Sequence, residues 1–492
     1  MTQDITMYCN IEQMEYDLNA IVKAFFPGKN VSFTSGEEAE KQADIALYVG
    51  VENQADIVSI DREENQRASF LRIEETSFTY FPEEYPATTL KNSLKSFLYV
   101  SLREYTGKDL PWGNLTGIRP TKIAYGMLEQ AVCEEEIVTR MKQEHFVSEE
   151  KARLSVDIAK RERSFLKELH YEDGYSLYIG IPFCPTTCMY CSFTSFPIAR
   201  FRKEADAYVD CLIREMEFVA ETYRDKILDT VYIGGGTPTT LEPEQLDKLL
   251  SNLKRLFDFS TVKEFTVEAG RADSITREKL QVLKKYQVTR ISVNPQTMKQ
   301  ETLDLIGRRA TVEQVLEAYS LAREEGFDNI NMDLILGLPG ENEEDVKHTI
   351  EEVVKLAPDS LTVHSLAIKR ASKLNAWVKE NGISYLNNTD ETMKIAAAGA
   401  KQLGMKPYYL YRQKNMSGNF ENVGYATAGK YGIYNILIME EVQTIVALGA
   451  GSITKRVFPD GRIERCDTVK DVGLYISKIE EMIERKRKLL VE

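Results

Sequence analysis

The feature that most constrains the fold is a regular alternation of short apolar runs with longer amphipathic stretches between residues 171 and 385. Such alternation is typical of βα units that build a parallel sheet. Six units in about two hundred residues predict an α/β fold with a partial (βα)6 barrel, three-quarters of the usual eight-unit barrel. The predicted strands are "SLYIGI", "DTVYIG", "EFTVEA", "TRISVN", "INMDLIL" and "SLTVHSL".

The residues on either side of this segment show other patterns. Residues 1 to 170 predict a small N-terminal α+β domain, because strand-like runs precede helical stretches. Residues 386 to 492 predict a small C-terminal domain or lid, with strand-like "PYYLYR" and "YNILIM" and a final amphipathic helix. Three domains fit a chain of 492 residues, which is too long for one core. The N-terminal strands are expected at "DIALYVGVE", "ADIVSI" and "ASFLRIEETSF", and the helices at "ATTLKNSLKSFLYVSLREYTG", "RPTKIAYGMLEQAV" and "VSEEKARLSVDIAKRERSFLKEL".

The composition excludes several classes of protein. Hydrophobic residues make up 43% of the chain and charged residues 28%, as in ordinary globular proteins. A net charge of −14 argues against general binding to nucleic acid or to an anionic membrane surface. No apolar run has the length of a membrane span, and the N-terminal residues lack a signal-peptide pattern. We therefore expect a cytoplasmic protein.

Three of the seven cysteines lie in one short loop after the first predicted barrel strand. Cys184, Cys188 and Cys191 have the spacing Cys-x3-Cys-x2-Cys, and the other cysteines are scattered, which excludes a disulfide framework. A structural zinc site would need a fourth ligand from a distant Cys or His. Three thiolates instead match a [4Fe–4S] cluster in which one iron stays open to a non-protein ligand. Cys211 shares a predicted helix face with apolar residues and is expected to be a buried structural thiol.

Other unusual residues also follow the predicted strands, where loops of parallel α/β proteins build active sites. The turn "GGGTPT" follows the second strand, and it lacks the Gly-Lys-Ser/Thr of a phosphate loop. Its glycines would let the backbone approach a ligand closely. Residues at the ends of the later strands are expected to converge on one cavity: Glu268, Asn294, Gln296, Asp333, His364 and Ala367.

Taken together, these motifs resemble the radical S-adenosylmethionine (SAM) superfamily. The stretches "YIGIPFCPTTCMYCSF", "VYIGGGTPTTL" and "MDLILGLPG" are similar to those of the oxygen-independent coproporphyrinogen III oxidases and their relatives. This resemblance covers about residues 171 to 370. Upstream, "PWGNLTGIRPTK" and the additional N-terminal domain resemble the HemZ branch, often described as coproporphyrinogen dehydrogenase.

The resemblance implies a [4Fe–4S] cluster on Cys184, Cys188 and Cys191, with SAM at the open iron. One SAM molecule is implied, and some relatives hold a second. Arg309 is adjacent to one matching position, Arg308, and could take its place. The positions that match cofactor contacts of the family are Tyr178, Tyr190, Gly235, Gly236, Thr237, Glu268, Gln296, Arg308, Asp333 and Ala367.

The resemblance also implies a reaction and its partners. The reaction is oxidative decarboxylation of two propionates of coproporphyrinogen III to vinyl groups, started by a 5′-deoxyadenosyl radical that the reduced cluster generates from SAM. An electron donor such as a flavodoxin or ferredoxin is then expected, and no nucleic acid. The tetrapyrrole carboxylates would need cations. The candidates are Arg119, Lys122, Lys369, Arg370, Arg412 and Lys414.

Two departures from the family pattern leave other functions open. Position 193 is Phe where some family oxidases have a further Cys, and position 180 is Gly where many relatives have His. Both bring the chain closer to divergent branches, one of which is a haem chaperone. The alternatives are therefore a haem-binding chaperone with the same cofactor site, or a radical SAM enzyme that methylates or opens haem.

Overall fold

The fold is described from a computed structural model. It describes residues 5–9, 15–27, 29, 31–34, 45–52, 68–73, 76–80, 89–171, 173–369, 372–413 and 416–491. The chain divides into two compact units. Unit 1 comprises Met1–Asp157 and Arg412–Glu421, and unit 2 comprises Ile158–Tyr411 and Asn422–Glu492.

Unit 1 is built on a five-stranded sheet. Its strand order is β2-β1-β3-β4-β5, with parallel pairing of β1 to both neighbours and antiparallel pairing beyond β3. Leu18 and Phe25 of the first helix pack with Leu98 and Tyr99 of the second to form an apolar core. The elements are β1 (Ile5–Cys9), α1 (Glu15–Phe25), β2 (Val31–Thr34), β3 (Ile45–Glu52), β4 (Ala68–Ile73), β5 (Thr76–Tyr80), α2 (Leu90–Thr106), α3 (Thr121–Glu129), α4 (Glu134–His145) and α5 (Glu149–Leu166), which continues into unit 2.

The sequence predicted part of this unit correctly. The run "DIALYVGVE" contains β3, and the three predicted helices contain α2, α3 and α5. The run "ASFLRIEETSF" was expected as one strand, but it is divided between β4 and β5, which pair as an antiparallel hairpin. The predicted strand "ADIVSI" lies outside the described residues. The first two strands, α1 and α4 were not predicted.

Unit 2 contains the predicted barrel. Six parallel strands lie in the order β13-β12-β11-β10-β9-β6, and helices connect successive strands, so the partial (βα)6 barrel is confirmed. The predicted apolar face of one connecting helix is buried through Val315, Tyr319 and Ala322. The elements are β6 (Gly174–Ile181), β7 (Phe183–Cys184), β8 (Phe196–Pro197), α6 (Ala205–Thr222), β9 (Ile227–Gly235), α7 (Pro243–Leu256), β10 (Glu264–Glu268), α8 (Arg277–Lys285), β11 (Arg290–Ser292), α9 (Gln300–Leu305), α10 (Val312–Glu324), β12 (Ile330–Leu336), α11 (Glu343–Leu356) and β13 (Ser360–Ser365).

The C-terminal part of unit 2 extends the barrel sheet at both edges. Strand β15 pairs antiparallel with β13, and β16 pairs parallel with β6, giving an eleven-stranded sheet. The C-terminal elements therefore belong to the same compact unit as the barrel. The expected domain boundaries at residues 170 and 385 remain predictions. The elements are α12 (Lys373–Asn381), α13 (Asp390–Gln402), β14 (Lys406–Tyr411), β15 (Asn422–Ala426), α14 (Ile433–Glu440), β16 (Thr444–Leu448), β17 (Ile453–Val457), β18 (Ile463–Asp467), α15 (Val472–Ser477) and α16 (Ile479–Leu490).

One prediction for this part is wrong, and one predicted helix is two helices in the structure. The run "YNILIM" was predicted as a strand but forms helix α14, because periodicity cannot separate a short buried strand from a short buried helix. The final amphipathic helix is divided into α15 and α16 at Lys478. Among the described residues, no helix combines the length and the apolar character needed to cross a membrane.

Candidate active site at the carboxyl ends of the barrel strands

The three cysteines of the predicted cluster loop lie between β6 and α6. Cys188 is buried, and Cys184 and Cys191 are half-buried. The pKa of the Cys184 thiol is raised to about 11, mainly by burial and in part by the neighbouring Cys191 and Cys188. The loop thus holds three thiols within electrostatic reach of one another, and metal binding would have to displace their protons. Among the described residues, no three Cys, His, Asp or Glu side chains are grouped so that they could hold a single metal ion.

Backbone hydrogen bonds fix the shape of this cluster loop. The amide of Met189 donates to the Ile306 carbonyl at 2.9 Å, and the Met189 carbonyl accepts from the Leu374 amide at 3.0 Å. The hydroxyl of Thr186 donates to the Gly307 carbonyl at 3.0 Å. The cluster loop is therefore held by the turn after α9 and by the start of α12, not only by its own strand.

The glycine turn after β9 lies directly against the cluster loop. The amides of Gly236 and Thr237 donate to the carbonyls of Ile181 and Phe183, each at 2.7 Å. A Cβ atom on Gly236 would lie 2.5 Å from the Phe183 oxygen, so only glycine fits there. The Thr237 hydroxyl lies 3.4 Å from Cys184 Sγ. The turn therefore packs against the backbone just before the first cysteine, at a distance that a side chain at position 236 would prevent.

Glu268 ends β10 inside a cluster of tyrosines. Its Oε1 accepts a hydrogen bond from the hydroxyl of Tyr232, and that ring stacks on Tyr434 with centroids 4.4 Å apart. Tyr178 also stacks on Tyr232, with centroids 6.2 Å apart. Burial raises the pKa of Glu268 to about 7, although the Tyr232 hydrogen bond opposes this shift. The carboxyl group is therefore poised between its protonated and ionised forms near neutral pH.

Gln296 is the most constrained polar residue of the site. Its φ is +70°, a left-handed conformation that is uncommon for residues other than glycine. The backbone is held there because the Gln296 amide donates to the Asp333 carbonyl at 2.9 Å. The side-chain Oε1 is buried and has no hydrogen-bond partner in the part of the chain that the structure describes. Strained backbone and an unsatisfied buried acceptor are both typical of ligand sites.

Arg308 and Asp333 approach the same loops. The guanidinium of Arg308 donates to the Tyr190 hydroxyl at 3.3 Å and to the Asn294 carbonyl at 2.5 Å, whereas Arg309 is exposed. Asp333 accepts from the Asn331 side-chain amide at 2.7 Å. The structure thus directs Arg308, not Arg309, toward the cluster loop.

The other predicted residues are less closely tied to this centre. His364 Nε2 lies 4.0 Å from the Asp333 carboxylate, at the end of β13. Ala367 is half-buried, two residues after the same strand. Cys211 is buried on α6, where its thiol faces the Ile476 carbonyl at 3.8 Å, as expected for a structural thiol.

The candidate cations for substrate carboxylates differ in their surroundings. Lys369 is half-buried in the loop leaving β13, and burial lowers its pKa. Arg412 is instead used inside unit 1, where its guanidinium donates to the Leu115 carbonyl at 2.5 Å and to the Asn419 side chain at 2.6 Å. Its Nε is buried without a hydrogen-bond partner among the described residues, so its role as a substrate ligand stays a prediction. Arg119 and Lys122 also belong to unit 1, and Arg370 and Lys414 lie outside the described residues.

Two polar residues of this region were missed by sequence reasoning. Ser292 is in register with Glu268, and its hydroxyl is buried without a hydrogen-bond partner within the described ranges. Residues in register on parallel strands point to the same face, so Ser292 belongs to the same layer as Glu268. Arg271, in the loop after β10, is 4% exposed and contacts Cys188. The available signal was their position at or just after strand ends, which sequence reasoning did not apply to Ser292 or Arg271.

These observations test whether the residues fit the two expected cofactors. Three adjacent thiols are the soft donors that iron–sulfur clusters require. The unsatisfied oxygens of Gln296 and Ser292 offer hydrogen-bonding positions to the hydroxyl and amino groups of a nucleoside. The site therefore fits a cluster and a SAM molecule.

Comparisons with known proteins agree with this site. Residues 178–353 match the model of the radical SAM superfamily. The chain is 42% identical over 407 residues to the oxygen-independent coproporphyrinogen-III oxidase-like protein HemZ of Bacillus subtilis, covering 82% of this chain and 81% of that protein. It is 39% identical over 196 residues to the haem chaperone HemW of Bacillus subtilis, covering 39% of this chain and 51% of that protein.

A solved structure shares the fold. The coproporphyrinogen III oxidase HemN of Escherichia coli superposes with a TM-score of 0.51 at 22% identity, covering 65% of this chain and 73% of that one. Radical SAM proteins use a [4Fe–4S] cluster and SAM, and these are the cofactors of this chain. The chain belongs to the HemN/HemZ family of the radical SAM superfamily.

Proposed function

We propose that this chain catalyses, in the cytoplasm, the oxygen-independent oxidative decarboxylation of coproporphyrinogen III to protoporphyrinogen IX. The observation that carries this proposal is the similarity to the HemZ protein, which extends through 82% of the chain and so beyond the shared cofactor domain. The similarity to haem chaperones covers less of the chain: 39% for the Bacillus subtilis protein, and 61% at 28% identity for that of Haemophilus influenzae. Similarity outside the radical SAM domain bears on the substrate, because the cofactor site is common to the whole superfamily.

In this proposal, the strand-end residues hold the cofactors. Cys184, Cys188 and Cys191 bind the cluster, which when reduced supplies, with SAM, the 5′-deoxyadenosyl radical that removes hydrogen from a propionate. The glycine turn of Gly235, Gly236 and Thr237 lies along the methionyl part of SAM. The remaining contacts to one or two SAM molecules come from Tyr178, Tyr190, Glu268, Gln296, Arg308, Asp333 and Ala367.

Glu268 and Gln296 would bind hydroxyl groups of the SAM nucleoside. An ionised Glu268 accepts hydrogen bonds from two ribose hydroxyls more strongly than a neutral carboxyl group does. The Tyr232 hydrogen bond favours that ionised form and fixes the orientation of the carboxylate. Gln296 Oε1 would gain the partner that it lacks within the described residues. Both residues then orient SAM relative to the cysteines.

Lys369 is the cation best placed to bind a substrate carboxylate. It is half-buried two residues after Ala367, and burial is the only influence on its pKa among the described residues, with no carboxylate contributing. Burying a cation without a counter-charge is costly, so an incoming propionate would compensate for that cost. His364, at the end of the same strand, could donate a second hydrogen bond to the substrate.

The cluster must also receive an electron from a donor such as a flavodoxin or ferredoxin. Pro197 is in register with Cys184, so the segment that follows it starts beside the cluster loop. That segment exposes Arg200, Arg202 and Lys203 on a chain with a net charge of −14. A local basic surface favours a donor with an acidic surface.

The second candidate is a haem chaperone, favoured by the 39% identity to HemW across the cofactor domain. A radical SAM enzyme that acts on haem itself is the third, because it would use the same cofactor residues. All three would bind the cluster and SAM, so cofactor content does not separate them.

An anaerobic product assay separates these functions. The reconstituted protein is incubated with reductant, SAM and coproporphyrinogen III, and parallel reactions contain haem. Carbon dioxide release with a divinyl product supports the proposal. Stable haem binding without turnover of either tetrapyrrole would replace it with the chaperone, and methylated or ring-opened haem would replace it with the third function.

A further inference from the structure

Arg271 presents a buried positive charge to one sulfur of the cluster loop. Its side chain is 4% exposed, in the loop that leaves β10 three residues after Glu268. The Nη1 group lies 3.5 Å from Cys188 Sγ and donates to the Thr186 hydroxyl at 3.1 Å. The same nitrogen therefore contacts both Thr186 and the Cys188 sulfur of the cluster loop.

The other edge of the guanidinium is occupied by Asp273. Nε donates to Oδ1 at 2.9 Å and Nη2 donates to Oδ2 at 2.6 Å, a two-pronged pairing that fixes the plane of the fork. The ion pair is thus oriented, with its positive end toward Cys188 and its negative end away from it. In a buried environment the nearer end of such a pair has the larger electrostatic effect.

A positive charge and a hydrogen-bond donor beside a ligating sulfur both stabilise the more negative, reduced form of an iron–sulfur cluster. Lysine could not replace this arrangement, because it lacks the planar fork that serves Asp273 and the sulfur at once. A purely structural role, in which Arg271 only ties Thr186 in place, would leave the reduction equilibrium unchanged.

We propose that Arg271 is a positioning residue that sets the reduction potential of the cluster through Cys188, and that Asp273 holds its guanidinium in the required orientation. This inference rests on the proposed assignment of Cys188 as a cluster ligand and is independent of the tetrapyrrole reaction. If the unsubstituted protein held no cluster, the assignment of Cys188 as a ligand would fail. If it holds a cluster, the reduction potentials of the variants test the role of Arg271 alone.

The test compares three variants with the unsubstituted protein. Arg271→Gln removes the positive end of the ion pair, and Asp273→Asn removes the negative end. Arg309→Gln removes a charge of the same type from an exposed position and serves as the matched control. Each protein is reconstituted anaerobically without SAM, its iron and sulfide are counted, and its cluster is titrated with a reductant and followed by electron paramagnetic resonance (EPR).

We expect opposite shifts from the two ends of the pair. Arg271→Gln should disfavour reduction about tenfold, which lowers the midpoint by about 59 mV for a one-electron couple. Asp273→Asn should raise the midpoint, because the Asn Oδ1 still accepts from Nε and keeps the guanidinium oriented while the opposing negative charge is lost. Arg309→Gln should leave the midpoint unchanged. Unchanged midpoints, or shifts of the same sign in both variants, would overturn the inference. If Arg271→Gln assembles no cluster, Asp273→Asn decides alone: a rise supports the role, and no change or a fall contradicts it.

Discussion

The hydroxyl of Tyr232 donates a hydrogen bond to the carboxyl group of Glu268, and both groups lie within the barrel of unit 2. Burial raises the pKa of Glu268 from 4.5 to about 7, and the Tyr232 hydrogen bond opposes the shift without cancelling it. The stacked rings of Tyr178, Tyr232 and Tyr434 surround this carboxyl group with apolar surface. The Glu268 carboxyl group is thus kept in an environment that disfavours its ionised form.

The cofactor-free protein should lose stability as the pH rises through this range. The folded state keeps the Glu268 proton up to about pH 7, whereas the unfolded chain releases it near pH 4.5, so the free energy of unfolding falls between these values. Relative to the unsubstituted protein, Glu268→Gln should gain up to about 3 kcal/mol between pH 4.5 and pH 8. Urea unfolding at both pH values measures the change. If the stability of Glu268→Gln and of the unsubstituted protein changed equally with pH, the prediction would be contradicted. Glu301→Gln, at an exposed site on α9, is the control.

The close packing of the glycine turn predicts a loss of stability for Gly236→Ala. The new Cβ would lie 2.5 Å from the Phe183 carbonyl oxygen, so the backbone of β7 or of the turn must move. Overpacking of this kind costs about 1–3 kcal/mol. Gly126→Ala, in α3, meets nothing within 4 Å and should be neutral or slightly stabilising. Equal unfolding free energies for both variants would show that the turn tolerates a side chain.

The assignment of the cluster ligands predicts a difference between two buried cysteines. Cys188→Ala should reduce the iron content far below about four atoms per chain, because two thiolates remain in the loop. Cys211→Ala should retain its iron, because that thiol faces a backbone carbonyl on α15. Iron and acid-labile sulfide are measured after anaerobic reconstitution. Retained iron in Cys188→Ala would remove this cysteine from the ligand set.

The proposed role of Lys369 predicts an effect on substrate binding. Lys369→Gln removes a charge-assisted hydrogen bond worth about 1.5–3 kcal/mol and should raise KM for coproporphyrinogen III at least about tenfold, with a smaller change in kcat. Lys379→Gln, on the exposed side of α12, should have the kinetics of the unsubstituted protein. A kcat that falls while KM is unchanged would exclude Lys369 from substrate binding.

The sequence predicted most of the elements that have a regular residue pattern. The predicted strand "INMDLIL" has the same bounds as β12. The cysteine loop and the glycine turn lie side by side, as expected for loops that both follow the carboxyl ends of neighbouring strands. Helix α14 was missed because a short, mostly apolar run of six residues suits either a strand or a helix. Sequence also cannot say which of two adjacent arginines points inward, and only the fold separates buried Arg308 from exposed Arg309.

The second limit concerns contacts between distant parts of the chain. Arg271 reaches Cys188 across 83 residues, and nothing in the loop sequence distinguishes its charge from a solvated one. The same limit applies to Arg412, because the sequence "YRQKN" does not show that its side chain is buried in unit 1 with bonds to Leu115 and Asn419. Burial and partner identity are tertiary properties, and they decide what a charged side chain does.

The central claim is that three cysteines hold a cluster whose open iron binds SAM. EPR of the anaerobically reduced protein, recorded before and after addition of SAM, tests it most directly. We predict the signal of a reduced [4Fe–4S] cluster whose g-values change when SAM binds. A protein that gives no such signal, or one whose signal is unaltered by saturating SAM, would contradict the account.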